Sequence, residues 1–347
     1  MAEISAEDRS GSKEEARAPV YRGVRIVVLI LALGGIAAAA HAADRAGAKS
    51  ASDDYEEWRP LGLESYEPSA FGYTKNNDDA SFENIKISVK FPIMPKATRR
   101  HWRKGNHVFF SFTGYWALYI WTRHSGPVVG KEYNPQLFFQ HEFSCRGALE
   151  SSYAPQPTYG GSERDNCYVG AGYDHDSNGQ IIDSPGQYHE TQREQGTEAA
   201  DDAISRGWDY IRLMGRYVVP VPGQHPYEIS IYPTIKYFLA DGLLQRHQEE
   251  LHYWENPPDG KPRREVDGVS VLAKYRRLFG GRDTKIVLGY TTGYKDPFSF
   301  STVRVEVGVV LFELPIVFWA QKGYMSDLSQ YYRNVTGYGA EVEIGAF

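Results

Sequence analysis

The sequence predicts an all-β chain, a twelve-stranded antiparallel transmembrane β-barrel, and three observations carry that expectation. Apolar and polar side chains swap at every step in segment after segment, the period of a strand whose two faces meet different surroundings. The longest connections between these segments fall on one end of the expected sheet, while mostly short turns fall on the other. The last strand alternates Tyr338, Ala340, Val342 and Ile344 and ends on Phe347, as barrels of the bacterial outer membrane do.

The elements follow in chain order. The apolar run Ile26–Ala40 has 15 residues, short of the roughly 20 that a helix needs to cross a bilayer. Arg22 and Arg25 precede it and Ala40-His41-Ala42 follows, so residues 1–42 read as a signal peptide cleaved after Ala42 or Ala43, in preference to an anchor helix. Met1–Tyr21 is long for the basic region of such a signal, which suggests an upstream start codon. Residues 43–65 are expected to form an N-terminal periplasmic arm and 66–347 the barrel.

Within the barrel, strands are expected at 66–75, 82–93, 107–121, 135–146, 166–177, 206–218, 227–238, 268–276, 284–293, 302–312, 315–325 and 335–347. Ile85 to Phe91 and Val303 to Val309 alternate strictly. Val108, Phe110, Phe112, Trp116, Leu118 and Ile120 share one face, as do Tyr227, Ile229, Ile231, Ile235 and Tyr237. The long connections 122–134, 178–205 and 239–267 lie on one rim, and the connection 147–165 is the exception on the other. A soluble sandwich or lipocalin-like barrel would alternate too, but with its apolar face inward. The 25 tyrosines fit interfacial girdles but fit a sandwich as well; the terminal strand favours the membrane barrel, whose closure satisfies every backbone group in lipid.

The 347 residues carry 38 basic and 44 acidic side chains, a net charge of −6 that leaves no basic surface for nucleic acid. Loss of the signal removes five of each sign, so the mature charge is the same. Export takes the chain to an oxidising compartment, where Cys145 and Cys167, at the ends of adjoining strands, are expected to bridge the 147–165 connection. Two cysteines alone make no zinc site.

The chemistry is expected on the fifth strand. Val169, Ala171, Tyr173, His175 and Ser177 share the lipid face, and two residues along a strand span about 6.6 Å, which brings an imidazole within reach of the serine hydroxyl. Asp209 shares the outward face of the next strand with Ile211 and Leu213, and an antiparallel hairpin sets it beside His175. Serine attacks when a base takes its proton, and the base works best when an acid fixes its tautomer. Polar groups on a face otherwise suited to lipid are costly, so three together read as functional.

Competing motifs fail on spacing. Asp174-His175-Asp176-Ser177-Asn178-Gly179 opens like an EF-hand loop, but the twelfth position is Pro185 and the flanks are strands. G-x-S-x-G and H-E-x-x-H are missing; His247 to His252 has the wrong spacing and reads as a polar loop.

Three blocks in order, Tyr133-Asn134-Pro135-Gln136-Leu137-Phe138, Gly172 to Gly179 and Ser205-Arg206-Gly207-Trp208-Asp209, resemble those of the outer-membrane phospholipase A family, over most of residues 60–347. The resemblance implies a multi-pass protein of the Gram-negative outer membrane that hydrolyses acyl esters of phospholipid and lysophospholipid at its outer surface, as a calcium-dependent homodimer. It further implies His175 as base, Ser177 as nucleophile, Asp209 as the orienting residue and the Gly179 N–H as an oxyanion donor. Calcium would be held by the backbone of Gln180, by Ser205 and by the partner subunit's Ser125.

Three departures stand out. The family's orienting residue is usually asparagine, in S-R-S-W-N; Asp209 makes a Ser-His-Asp set but puts a charge near lipid. An acidic insertion, 181–204, carries Asp183, Glu190, Glu194, Glu198, Asp201 and Asp202 against Arg193, and is expected to be a solvated loop, with added calcium ligands as the alternative. Strand 107–121 has no clear counterpart of the glutamine at the family's dimer interface. The other class of function is a non-catalytic barrel, a narrow pore or an adhesin, with Lys86, Lys90, Arg304 and Glu306 in the lumen.

Overall fold

A computed structural model describes residues 63–77, 81–93, 106–119, 128, 130–145, 166–220, 228–245, 260–279, 282–312, 314–325 and 328–344. The expected signal peptide, the arm up to residue 62, Ser125 and the segment His247–His252 lie outside the described residues.

Strict alternation becomes strand throughout. A two-residue strand, β1 (Glu64–Ser65), is followed by β2 (Ser69–Asn76), β3 (Ser81–Pro92), β4 (Asn106–Leu118), β5 (Gly130–Ser144), β6 (Asn166–Ser177), β7 (Gly207–Pro220) and β8 (Glu228–Phe238). Then come β9 (Gly268–Phe279), β10 (Arg282–Gly293), β11 (Ser301–Leu311), β12 (Leu314–Gly323) and β13 (Val335–Ile344). Each strand from β2 to β13 pairs antiparallel with its sequence neighbours, and β13 returns to β2, so twelve strands close the barrel as expected. Closure leaves no open edge, the condition for a sheet to cross lipid.

The boundaries differ most at β5, which starts at Gly130, five residues before the expected 135. Asn134-Pro135 reads as a boundary in sequence but sits inside the strand, opposite Thr113 and Phe112. Glu64–Ser65, the end of the expected arm, pairs with Lys90 and Val89 of β3 and so belongs to the barrel wall.

The two faces have opposite chemistry. Phe71, Ile87, Leu137, Phe139, Ile211, Ile286, Leu288, Val303, Val305, Val307 and Phe318 are exposed on the outer wall, a continuous apolar belt. Inside, Asn84, Ser88, Ser111, Thr113, Gln136, Asp174, Asp176, Arg212, Lys285 and Glu343 are buried. Several of these groups pair: the Arg212 guanidinium lies 2.6 Å from the Asp174 carboxylate, Lys285 meets Glu343, and Tyr66, ahead of β2, accepts from Arg212 Nη1 at 2.5 Å. Buried charge is tolerated only when paired in this way. No helix among the described residues is long and apolar enough to cross a membrane; the strands do the spanning.

Loops follow the expected asymmetry. One rim carries the connections after β4, β6 and β8, and an aromatic cluster of Trp208, Tyr210, Phe238, Tyr331 and Tyr332 packs at that end with Val266 and Leu328. On the other rim, Cys145 and Cys167 are joined across the connection between β5 and β6, with Cα atoms 5.1 Å apart. The acidic insertion is not the loop expected. It folds into two helices, α1 (Pro185–Gln195) and α2 (Thr197–Asp202). Pro185 opens α1 where its missing N–H costs nothing, and the rest is mostly good helix formers. With no buried residue in α1, there is no apolar period to read.

Candidate active site

Alternation along β6 sorts its side chains. Asp174 and Asp176 point into the lumen and are buried, while Tyr173, His175 and Ser177 take the outer face. The register with β7 sets His175 opposite Asp209 and Ser177 opposite Gly207. His175 Nδ1 and Asp209 Oδ1 are 2.7 Å apart. A carboxylate only accepts, so this bond requires the proton on Nδ1 and leaves Nε2 free as a base.

Asp209 is 1% exposed, against the expectation of a charge near lipid. The cause is the chain after β8, where an irregular strap lies across the outer wall over it. The Leu244 and Gln245 N–H groups both donate to Asp209 Oδ2 at 2.8 Å, and the Leu243 N–H donates to the Tyr173 hydroxyl at 2.7 Å. Gly242 is pressed so close that a Cβ there would lie 1.9 Å from Asp209 Oδ2. The Leu243 and Leu244 side chains face away and are 83% and 63% exposed. Opposite Ser177, Gly207 leaves space that Gln245 Oε1 enters, 2.8 Å from where a Cβ would stand.

Just beyond Ser177 the chain turns through Gly179 at φ +57°, where the Tyr133 ring is 2.9 Å from a would-be Cβ; conformation and space both demand glycine. Asn178, fully buried, pins this turn. Its N–H donates to the Arg206 carbonyl at 3.0 Å and its Nδ2 to the Ile204 carbonyl at 2.8 Å, while its Oδ1 accepts from the Arg206 and Gln180 N–H groups at 2.9 and 3.3 Å. The Ser205 N–H donates to the Ile182 carbonyl at 2.7 Å, so the strands of chain bearing Gln180 and Ser205 run side by side, with Ser205 exposed. Ser125 lies outside the described residues.

The insertion packs down through Ile182, Ile204 and Tyr188. Tyr188 donates to Asp201 Oδ1 at 2.8 Å, and burial together with that carboxylate pushes its hydroxyl pKa up to about 12. Asp202 is buried, so the acidic residues are in part internal to the helical pair. Among the described residues, no three or more His, Cys, Asp or Glu side chains group as metal ligands.

Behind the site, Arg263, in the short helix α3 (Arg263–Val266), pairs with Asp176 at 2.5 Å and Asp267 at 3.3 Å and lies 4.5 Å over the Trp208 ring. Lys236 pairs with Asp267 at 3.0 Å. Burial alone would raise the Asp267 carboxyl; the Lys236 ammonium and the Arg263 guanidinium outweigh it and hold the group below the ordinary aspartate range. The reading of residues thus missed the strap, the Asn178 pin and this ion network. Asp241-Gly242 and Asn178-Gly179 are turn dipeptides, the one trace that the first two leave in sequence.

No protein-family profile and no curated protein matches the chain. Solved structures do. Outer membrane phospholipase A from Escherichia coli aligns with a TM-score of 0.51 at 16% identity, covering 82% of this chain and 99% of that one. The calcium-bound dimer of the Salmonella typhi outer membrane phospholipase aligns with a TM-score of 0.51 at 16% identity, over 84% and 95% of the two chains. KdgM porin, at 8% identity and a TM-score of 0.34, is too distant to weigh. The architecture is therefore that of an outer-membrane β-barrel, similar to these phospholipases in fold.

Proposed function

We propose that this chain is a calcium-dependent phospholipase of the Gram-negative outer membrane, hydrolysing acyl esters of glycerophospholipids as a homodimer, exported by a signal peptide at 1–42, with an arm from residue 43 that leads into the barrel wall at Glu64–Ser65. The observation that carries the reading is the 2.7 Å contact of His175 Nδ1 with Asp209 Oδ1 on an outer wall that is otherwise apolar, with Ser177 two positions along the same face.

In this reading Ser177 Oγ attacks the ester carbonyl as His175 Nε2 takes its proton. The imidazolium then gives that proton to the departing lysophospholipid oxygen. Water, deprotonated by His175, cleaves the acyl-serine and releases the fatty acid. Asp209 holds the tautomer throughout, and the Gly179 N–H stabilises the oxyanion, a type of donor worth about 3 kcal/mol. Calcium would be held by the Gln180 carbonyl, the Ser205 hydroxyl and the partner subunit's Ser125. The donors on this chain are neutral hard oxygens, which suit that ion, and when bound it supplies Lewis acidity.

The test is phospholipid hydrolysis by purified protein in detergent. Wild type should release fatty acid and lose that activity with excess EDTA, while Ser177→Ala stays at background. Turnover by Ser177→Ala at the wild-type rate would sink the nucleophile, and indifference to EDTA the calcium role. A narrow pore is the second reading, favoured by a lumen cavity of about 1270 Å³ lined by Lys86, Glu132, Arg304 and Glu306. Conductance in planar bilayers without lipase activity would decide for it.

A further inference from the structure

A carboxylate on the outer wall of a membrane barrel is costly unless its oxygens are met by donors. Asp209 meets that requirement from two sides. Oδ1 faces His175 Nδ1, and Oδ2 accepts the N–H groups of Leu244 and Gln245. Backbone amides can only donate, so the strap demands an oxygen at Oδ2. An amide side chain fails there in either orientation. Its NH2 would oppose two N–H groups, or it would face His175 Nδ1 and drive the ring proton to Nε2, the nitrogen that must be free. Gly242 is what lets the strap close, since a Cβ would stand 1.9 Å from Oδ2. The Tyr173 hydroxyl holds the strap from the β6 side by accepting from Leu243.

We propose that the strap Gly242–Gln245 is the positioning element for Asp209, and that the close approach of Gly242 is what keeps the carboxylate aimed at His175 Nδ1. This rests on the reading of Asp209 as the orienting residue, but it is testable apart from turnover. A His–Asp hydrogen bond of this kind gives a far-downfield imidazole proton, assignable here by its loss in His175→Ala. In full-length protein in detergent micelles, labelled with 15N-histidine, wild type, Ser177→Ala and the control Gly186→Ala, whose Cβ meets nothing within 4 Å, should keep that resonance. Gly242→Ala should lose it. Its kcat should fall on the order of 100-fold with KM unchanged, the loss that a misplacement of about 1 Å can bring.

Leu244→Pro deletes one of the two N–H donors and gives the same readout should Gly242→Ala fail to fold. A Gly242→Ala protein that keeps both the resonance and wild-type kcat overturns the proposal, as does one that loses turnover with the resonance intact. Should wild type prove inactive on phospholipid while its resonance still depends on Gly242, the catalytic reading falls and the strap stands.

Discussion

Along β6, neighbouring residues meet two different worlds. Asp174 and Asp176, on the lumen side, are held by guanidinium groups, Arg212 at 2.6 Å and Arg263 at 2.5 Å. Asp209, reached from the outer face of the same strand, is held by an imidazole and two backbone amides. Arginine stays charged at any physiological pH, so the inner pairs are locked. The amides carry no net charge, so the outer carboxylate meets an imidazole where the inner ones meet a guanidinium. Carboxylates at similar depth thus have different uses: inside they fix the barrel, and outside one is left coupled to a base.

The comparison breaks first at Asp209. Asp209→Asn is nearly isosteric, yet a loss of about 10^4-fold in kcat is expected, the scale seen when a triad histidine is forced into the wrong tautomer. The urea midpoint should fall by no more than corresponds to about 1–3 kcal/mol, the cost of a buried mismatch confined to the strap, less than for loss of an inner ion pair. Near-normal turnover would mean that the outer carboxylate orients nothing.

On the inner side the balance should reverse. Arg263→Met leaves Asp176 and Asp267 without their guanidinium, and stripping one partner from a buried pair costs about 3–5 kcal/mol. That cost should appear as a lower urea midpoint, with turnover of the folded protein changed far less than by Asp209→Asn. A variant as stable as wild type would show that the inner network is dispensable, and the division between the faces would fail.

The sequence is legible wherever a period of two persists. Val303, Val305 and Val307 face out and Arg304 and Glu306 line the lumen, as the alternation demands. His175 and Asp209 are each read from the parity of their own strand, and they meet because the two strands pair antiparallel with these residues opposite each other, across a connection long enough to hold two helices. What escapes is irregular chain. The strap at 242–245 lies on the wall without joining it, so its leucines and its glycine carry no repeating signal, and the burial of Asp209 could not be foreseen. α1 escapes for another reason: a helix with no buried residue shows no apolar stripe.

Acid should separate the faces more gently. Asp267, held by Lys236 and Arg263, has a folded-state pKa below its unfolded one. Its stabilisation is complete above the ordinary aspartate value of about 3.9 and disappears as pH falls through the depressed value. Wild type should therefore lose urea resistance progressively below about pH 4, and Asp267→Asn should lack that part of the slope. Parallel acid profiles for the two proteins would remove Asp267 from the linkage.

The smallest effect is expected at Tyr188, in the helical pair that the insertion adds beside the site. Its hydroxyl donates to Asp201 at 2.8 Å. Tyr188→Phe removes one hydrogen bond to a charged acceptor and nothing else, a loss of about 1.5–3 kcal/mol at most where the pair is buried and less where water can replace the donor. The hydroxyl is also held un-ionised to about pH 12, so the bond persists across the working range and no pH dependence should accompany it. Because the two helices are anchored by Ile182 and Ile204 as well, the variant should stay folded, with faster proteolysis inside 185–202 as the sensitive readout. If cleavage there is unchanged while turnover falls, the helical pair acts on the outer face through Tyr188 itself, and the boundary between structural and catalytic carboxylates has to be redrawn to include Asp201.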